Sequence, residues 1–160
     1  MNVSAANTPS NNMTLEIART RLLYVWLSGS ALSIAPLIYQ TVSRTFERTT
    51  ETGTESFAQQ VWGWFVPMIF PTLALMFATI NFQSQPSDTA PILVNKRNVH
   101  ICLLISIIYL LVLFIHVFFW PAFNYPDPLK LFTTANFYLA PIQALVISIM
   151  GSLFNKNKTL

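Results

Sequence analysis

Charge is what this sequence most lacks. Only 9% of its 160 residues are charged, nine Lys or Arg and six Asp or Glu, where a soluble domain carries about 25%. Fifteen charged side chains cannot wet the surface of a soluble fold this long. That argues against a soluble enzyme, a nucleic-acid binder and a disordered chain alike. Glycine and cysteine are also scarce, with four and one residues. No Gly-rich phosphate loop can be assembled, and no nucleophile–base pair, HExxH or Cys/His metal spacing occurs. Cys102 has no partner for an internal disulfide and reads as an inert core residue. The expectation is a chain without cofactor, metal or catalytic group.

Apolar residues fill the space that charge leaves. They make up 53% of the chain, about 85 residues, and four membrane spans of about 20 residues would use about 80. Four long uncharged windows, 22–43, 56–87, 98–126 and 131–155, are each long enough to cross about 30 Å of hydrocarbon as a helix. They place spans at 21–42, 60–82, 99–120 and 133–154. Span three is the most apolar; Ser28, Gly29, Ser30 and Ser33 dilute span one. No apolar–polar alternation persists, which disfavours a β-barrel. The fold class expected is all-α, an integral-membrane four-helix bundle occupying 21–154 as a single domain. A polar tail at 1–20 precedes it and a short tail at 155–160 follows. The first tail is too late in its charge and apolar regions to read as a cleavable signal peptide.

The few charges that exist carry orientation. Arg19, Arg21, Lys96, Arg97, Lys156 and Lys158 lie on the two tails and the second loop, against Arg44, Arg48 and Lys130 on the first and third loops. By the positive-inside rule both termini are cytoplasmic. Trp62, Trp64 and Trp120 would then form an outer aromatic belt, with Trp26 and Tyr24 near the inner interface. The sequons at Asn2, Asn12 and Asn157 would fall on the cytoplasmic side, where they carry no glycan. Glu47, Glu51 and Glu55 recur every four residues and read as a solvated acidic stripe. Minimal loops suggest a bacterial inner membrane.

No Asp, Glu, Lys or Arg falls in the middle of any span, which counts against ion-coupled transport, because coupling needs a group that changes charge. His100 and His116 are the ionisable candidates near the membrane. Sixteen residues of helix, about 24 Å, separate them, too far for one metal or haem. His116 reads first as an interhelical packing residue.

Three polar features remain. Pro67 and Pro71 remove two backbone donors from span two and leave carbonyls that need a hydroxyl such as Thr72, a neighbouring helix, or water. A kink or break that faces protein is expected there, as a structural bend or as a hinge. Span four carries Asn136, Ala140, Gln143, Ala144, Ser148 and Gly151 on one side. Ala140, Ala144 and Ser148 form a small-xxx-small ladder, expected to meet Gly29 and Ser33 of span one within or between chains. Asn136 and Gln143 would glue helices together or wet a pore. The leading expectation is a non-enzymatic membrane component that acts by helix association. It would be a homo-oligomer or a subunit of a larger membrane or cytoplasmic complex, with the lipid bilayer as its other partner. The alternatives are an oligomeric pore or channel lined by spans two and four, and a histidine-dependent membrane redox enzyme.

Overall fold

A computed structural model of the chain describes residues 12–43, 45–48, 57–81, 92–122 and 128–154. Among them are four long helices, α1 (Leu15–Val42), α2 (Phe57–Asn81), α3 (Lys96–Phe119) and α4 (Pro128–Phe154), with two three-residue strands, β1 (Asn12–Thr14) and β2 (Leu93–Asn95). Each helix is long and apolar enough to span a membrane, α3 the most apolar and α1 the least. The fold is all-α, as composition requires. The tails 1–11 and 155–160 lie outside the described residues, as do Glu51, Glu55, Lys156, Lys158 and the sequons Asn2 and Asn157.

Helix α1 begins at Leu15 rather than at 21, and its start is tied down by the strands. β1 and β2 pair antiparallel, Asn12 with Asn95, Met13 with Val94 and Thr14 with Leu93. The first amide of a helix has no acceptor within the helix; here Leu15 N–H donates to the Ile92 carbonyl at 2.9 Å. Thr14 precedes α1 in an extended conformation and makes no side-chain cap. Asn95 caps α3, its Oδ1 accepting from the Arg97 amide at 2.9 Å. The same short pairing therefore starts two helices side by side.

The helices run up, down, up, down. α1 and α3 are parallel neighbours and share the closest seam, while α4 packs on both α2 and α3. Gly29 permits that seam: a Cβ there would lie 2.7 Å from Leu110 Cδ1 and 3.2 Å from Leu110 Cβ. Trp26 stacks on Tyr109 in the same seam, ring centroids 5.7 Å apart. The expected pairing of span one with span four inside the chain is therefore replaced by α1 on α3. Gly29 meets Leu110, the Ser33 hydroxyl donates to its own helix at the Gly29 carbonyl (3.0 Å), and Ser28, Ala31 and Ala35 are exposed.

The two ends of the bundle differ. At one end, the strand end, α1 and α3 start and α4 finishes. At the other, Phe46, Phe57, Trp120 and Phe132 form an aromatic cluster joined to Trp64, with Phe46 and Trp120 stacked at 5.5 Å and Trp64 and Phe132 tilted against each other at 4.7 Å. Trp26, Trp64 and Trp120 are buried among helices, so they do not form a lipid-facing belt. The energetic reason is area: a tryptophan buries the largest apolar surface of any side chain, and a seam with a matching gap takes it. Outward-facing Leu104, Ile107, Ile108, Leu111 and Phe118 coat α3 instead, a surface suited to hydrocarbon rather than water.

Candidate functional site

Three buried polar side chains, Arg19, Gln40 and Gln143, reach backbone carbonyls that helix geometry leaves without a donor. Proline has no amide hydrogen, so Pro71 cannot serve the carbonyl four residues before it, which belongs to Pro67. Gln143 of α4 takes over that role. Its Nε2 donates to the Pro67 carbonyl at 3.0 Å and to the Met68 carbonyl at 3.0 Å. Tyr109 of α3 donates its hydroxyl to the same Met68 carbonyl at 2.7 Å. Three helices thus meet at one turn of α2.

The motif recurs toward the aromatic end. Pro121 cannot serve Val117, the residue four before it, whose carbonyl also lies in the final turn of α3 where intrahelical donors run out. Gln40 of α1 donates its Nε2 to that carbonyl at 2.8 Å and accepts from the Trp120 indole at Oε1, also at 2.8 Å. At the strand end Arg19, buried, donates to the carbonyl of Phe154, the last residue of α4, at 3.1 Å. Its guanidinium carbon lies 5.2 Å from the centre of the Phe154 ring. A cation at a helix C-terminus also opposes the negative end of the helix dipole. In hydrocarbon, where each unpaired backbone group is costly, these bonds satisfy the helices and join them in one act.

Each residue singled out from the sequence has a definite place. Gln143 and Thr72 are buried, Asn136 and His116 half-buried, and Pro67, Pro71, Ala140, Ala144 and Ser148 exposed. Gln143 reaches the proline-freed carbonyl, whereas the fully buried Thr72 hydroxyl has no hydrogen-bond partner among the described residues. The relief of α2 thus comes from a neighbouring helix and not from Thr72. α2 runs as one helix through both prolines. Both prolines are exposed, while the Pro67 carbonyl that Pro71 frees is met from inside the bundle by Gln143; of the expected kink or break, the helix is not broken, and the protein-facing side holds for that carbonyl. Asn136 Oδ1 accepts from the Trp64 indole at 2.6 Å, joining α4 to α2.

The single polar-and-small face expected on span four divides in two. Residues spaced by four advance about 40° around a helix at each step. Starting beside the inward Asn136, the ladder Ala140, Ala144, Ser148 therefore rotates steadily out of the seam. Gln143 stays inward with Leu139, Val146 and Met150. The ladder ends on the outer surface with Phe137, which is 84% exposed.

His116 joins α3 to α4. Its Nδ1 bonds the Val112 carbonyl at 2.7 Å, and its Nε2 meets the Tyr138 hydroxyl. A carbonyl only accepts, so Nδ1 carries a proton toward Val112. His100 Nδ1 bonds the Lys96 carbonyl at 2.8 Å. No group of three potential metal ligands occurs among the described residues.

Sequence reasoning missed Arg19, Gln40 and Tyr109. Their targets were legible in part, because a proline at 71 or 121 names the carbonyl it deprives; which side chain supplies the donor depends on helix packing. No protein-family model, curated protein or solved structure matches the chain.

Proposed function

We propose that the protein is a non-enzymatic, multi-pass membrane component that acts by helix association, with itself or as a subunit of a larger complex. Four apolar helices are compatible with a multi-pass membrane protein. The observation that carries the reading is the division of α4. Its amides are engaged inward on the bundle's own groups, Gln143 on α2 carbonyls and Asn136 on Trp64. Its small residues Ala140, Ala144 and Ser148 are left outside, where a second helix could approach closely.

Orientation follows from the distribution of charge. Arg19, Arg21, Lys96 and Arg97 gather at the strand end, which the positive-inside rule puts in the cytoplasm; both chain termini belong to that side, and a bacterial inner membrane suits the minimal loops. The pore alternative drew on the Asn136 and Gln143 face and the proline pair, and the redox alternative on His116. Asn136 and Gln143 are bonded within the bundle, the prolines are exposed, and both His116 ring nitrogens are engaged, so no observation favours either.

The test is the mass of the particle purified in mild detergent and transferred to lipid nanodiscs, with protein identification of whatever accompanies it. The expected result is a particle of two or more chains, or a partner at fixed stoichiometry. A single chain with no accompanying protein would overturn the proposal.

A further inference from the structure

A groove of about 250 Å³ opens at the strand end between the start of α3 and the finish of α4, lined by Asn98, Ile101, Ile149, Ser152 and Leu153. Its polarity is graded. Asn98 and Ser152 stand at the mouth, one on each helix. Ile101 and Ile149 lie three residues further toward the bundle centre, about 4.5 Å along the axes. Leu153 beside Ser152 apart, the lining therefore runs from hydrogen-bonding to apolar in the direction that a membrane runs from headgroup to acyl chain.

Cationic side chains lie at the same end of the bundle, although none is among the lining residues. Arg97 immediately precedes Asn98 and is exposed, and the side chains of Arg97 and Asn98 make no hydrogen bond or ion pair among the described residues. Arg19, Arg21 and Lys96 belong to the same end, where Glu16 is the one described carboxylate. A guanidinium and a carboxamide both offer N–H donors to an anion.

We propose that this groove binds one acidic phospholipid, its phosphate at Arg97 and Asn98 and an acyl chain against Ile101 and Ile149. Basic pockets between membrane helices on the cytoplasmic side hold anionic headgroups in this manner. The site is independent of self-association: one chain contains all of it.

The test uses the full chain with Cys102→Ser and Ser152→Cys, a fluorophore on the new thiol, in vesicles of phosphatidylcholine. Either brominated phosphatidylglycerol or brominated phosphatidylcholine is titrated in as the quencher. The expected relative association constant favours phosphatidylglycerol about 5-fold, which is about 1 kcal/mol, the value of one surface cation. Arg97→Gln should bring the ratio close to 1, and Arg97→Lys should largely restore it. Arg21→Gln, at the same end but on α1 rather than beside Asn98 on α3, should leave it unchanged. The proposal is overturned by a parent ratio near 1, by a preference that survives Arg97→Gln, or by equal loss in Arg21→Gln, which would mean diffuse surface charge. Circular dichroism of each variant guards against misfolding, and Arg97→Lys supplies a folded positive control.

Discussion

The inner and outer faces of α4 are made of different residue types and do different things. Inward, Gln143 holds two carbonyls of α2 and Asn136 holds the Trp64 indole. Outward, Ala140, Ala144 and Ser148 lie on the surface beside Phe137. The contrast teaches where polarity is useful in a lipid-facing bundle. A donor is kept where proline has stripped a carbonyl of its partner, and a small residue is kept where close approach by another helix is possible. One face fixes the fold and the other remains available.

Substitutions should separate the two. The largest effect belongs to the tightest inward contact, on the seam between α1 and α3. Gly29→Val would force β-branched carbons into Leu110, since even a Cβ alone at position 29 would lie 2.7 Å from Leu110 Cδ1, and overpacking of this kind costs about 1–3 kcal/mol. Its unfolding midpoint in a denaturing-detergent titration should fall the most of any variant named here. Next comes Gln143→Leu, which leaves the Pro67 carbonyl without its donor at about 1–2 kcal/mol. The cause can be isolated. Pro71→Ala returns an amide four residues after Pro67, so Gln143→Leu should lose much less stability in that background. Equal losses in both backgrounds would detach Gln143 from the proline. Smallest is Ala144→Leu on the outer face, expected to change the unfolding midpoint by no more than about 0.5 kcal/mol while lowering the mass of the associated particle.

Much of the fold is legible in the residues. The uncharged windows mark all four helices, and the longest apolar run, from Ile101 onward, coincides with the most apolar helix. Helix ends are less so: α1 reaches back to Leu15 because a three-residue strand pair with Leu93–Asn95 supports its first amide, and pairing that short leaves no periodic trace. Trp26 reads as an interfacial residue from its position near a span end. It is buried instead, because the gap beside Tyr109 belongs to the meeting of two helices and not to either alone.

The candidate site divides the same way. Proline chemistry is local, so Pro71 names the Pro67 carbonyl from sequence. The choice of Gln143 over Thr72 is tertiary: Thr72 is on the same helix as the freed carbonyl, and Gln143 is brought to it by the packing of α4. Spacing also misled in a traceable way. Offsets of four look like one face over one step, but three steps at about 40° each carry a residue well around the helix. Hence Asn136 and Ser148 part company.

The proposal's central claim is that the outer face of α4 meets a helix of a second chain or of a partner protein, while the inner face packs on α2 and α3 of its own chain. A photo-cross-linking residue placed at position 144, and separately at 146, tests this in native membranes. The expected result is that 144 yields an adduct of one discrete mass, either twice the chain or the chain plus one constant partner, and that 146 yields only cross-links within the chain. Lipid adducts alone at 144 would contradict it.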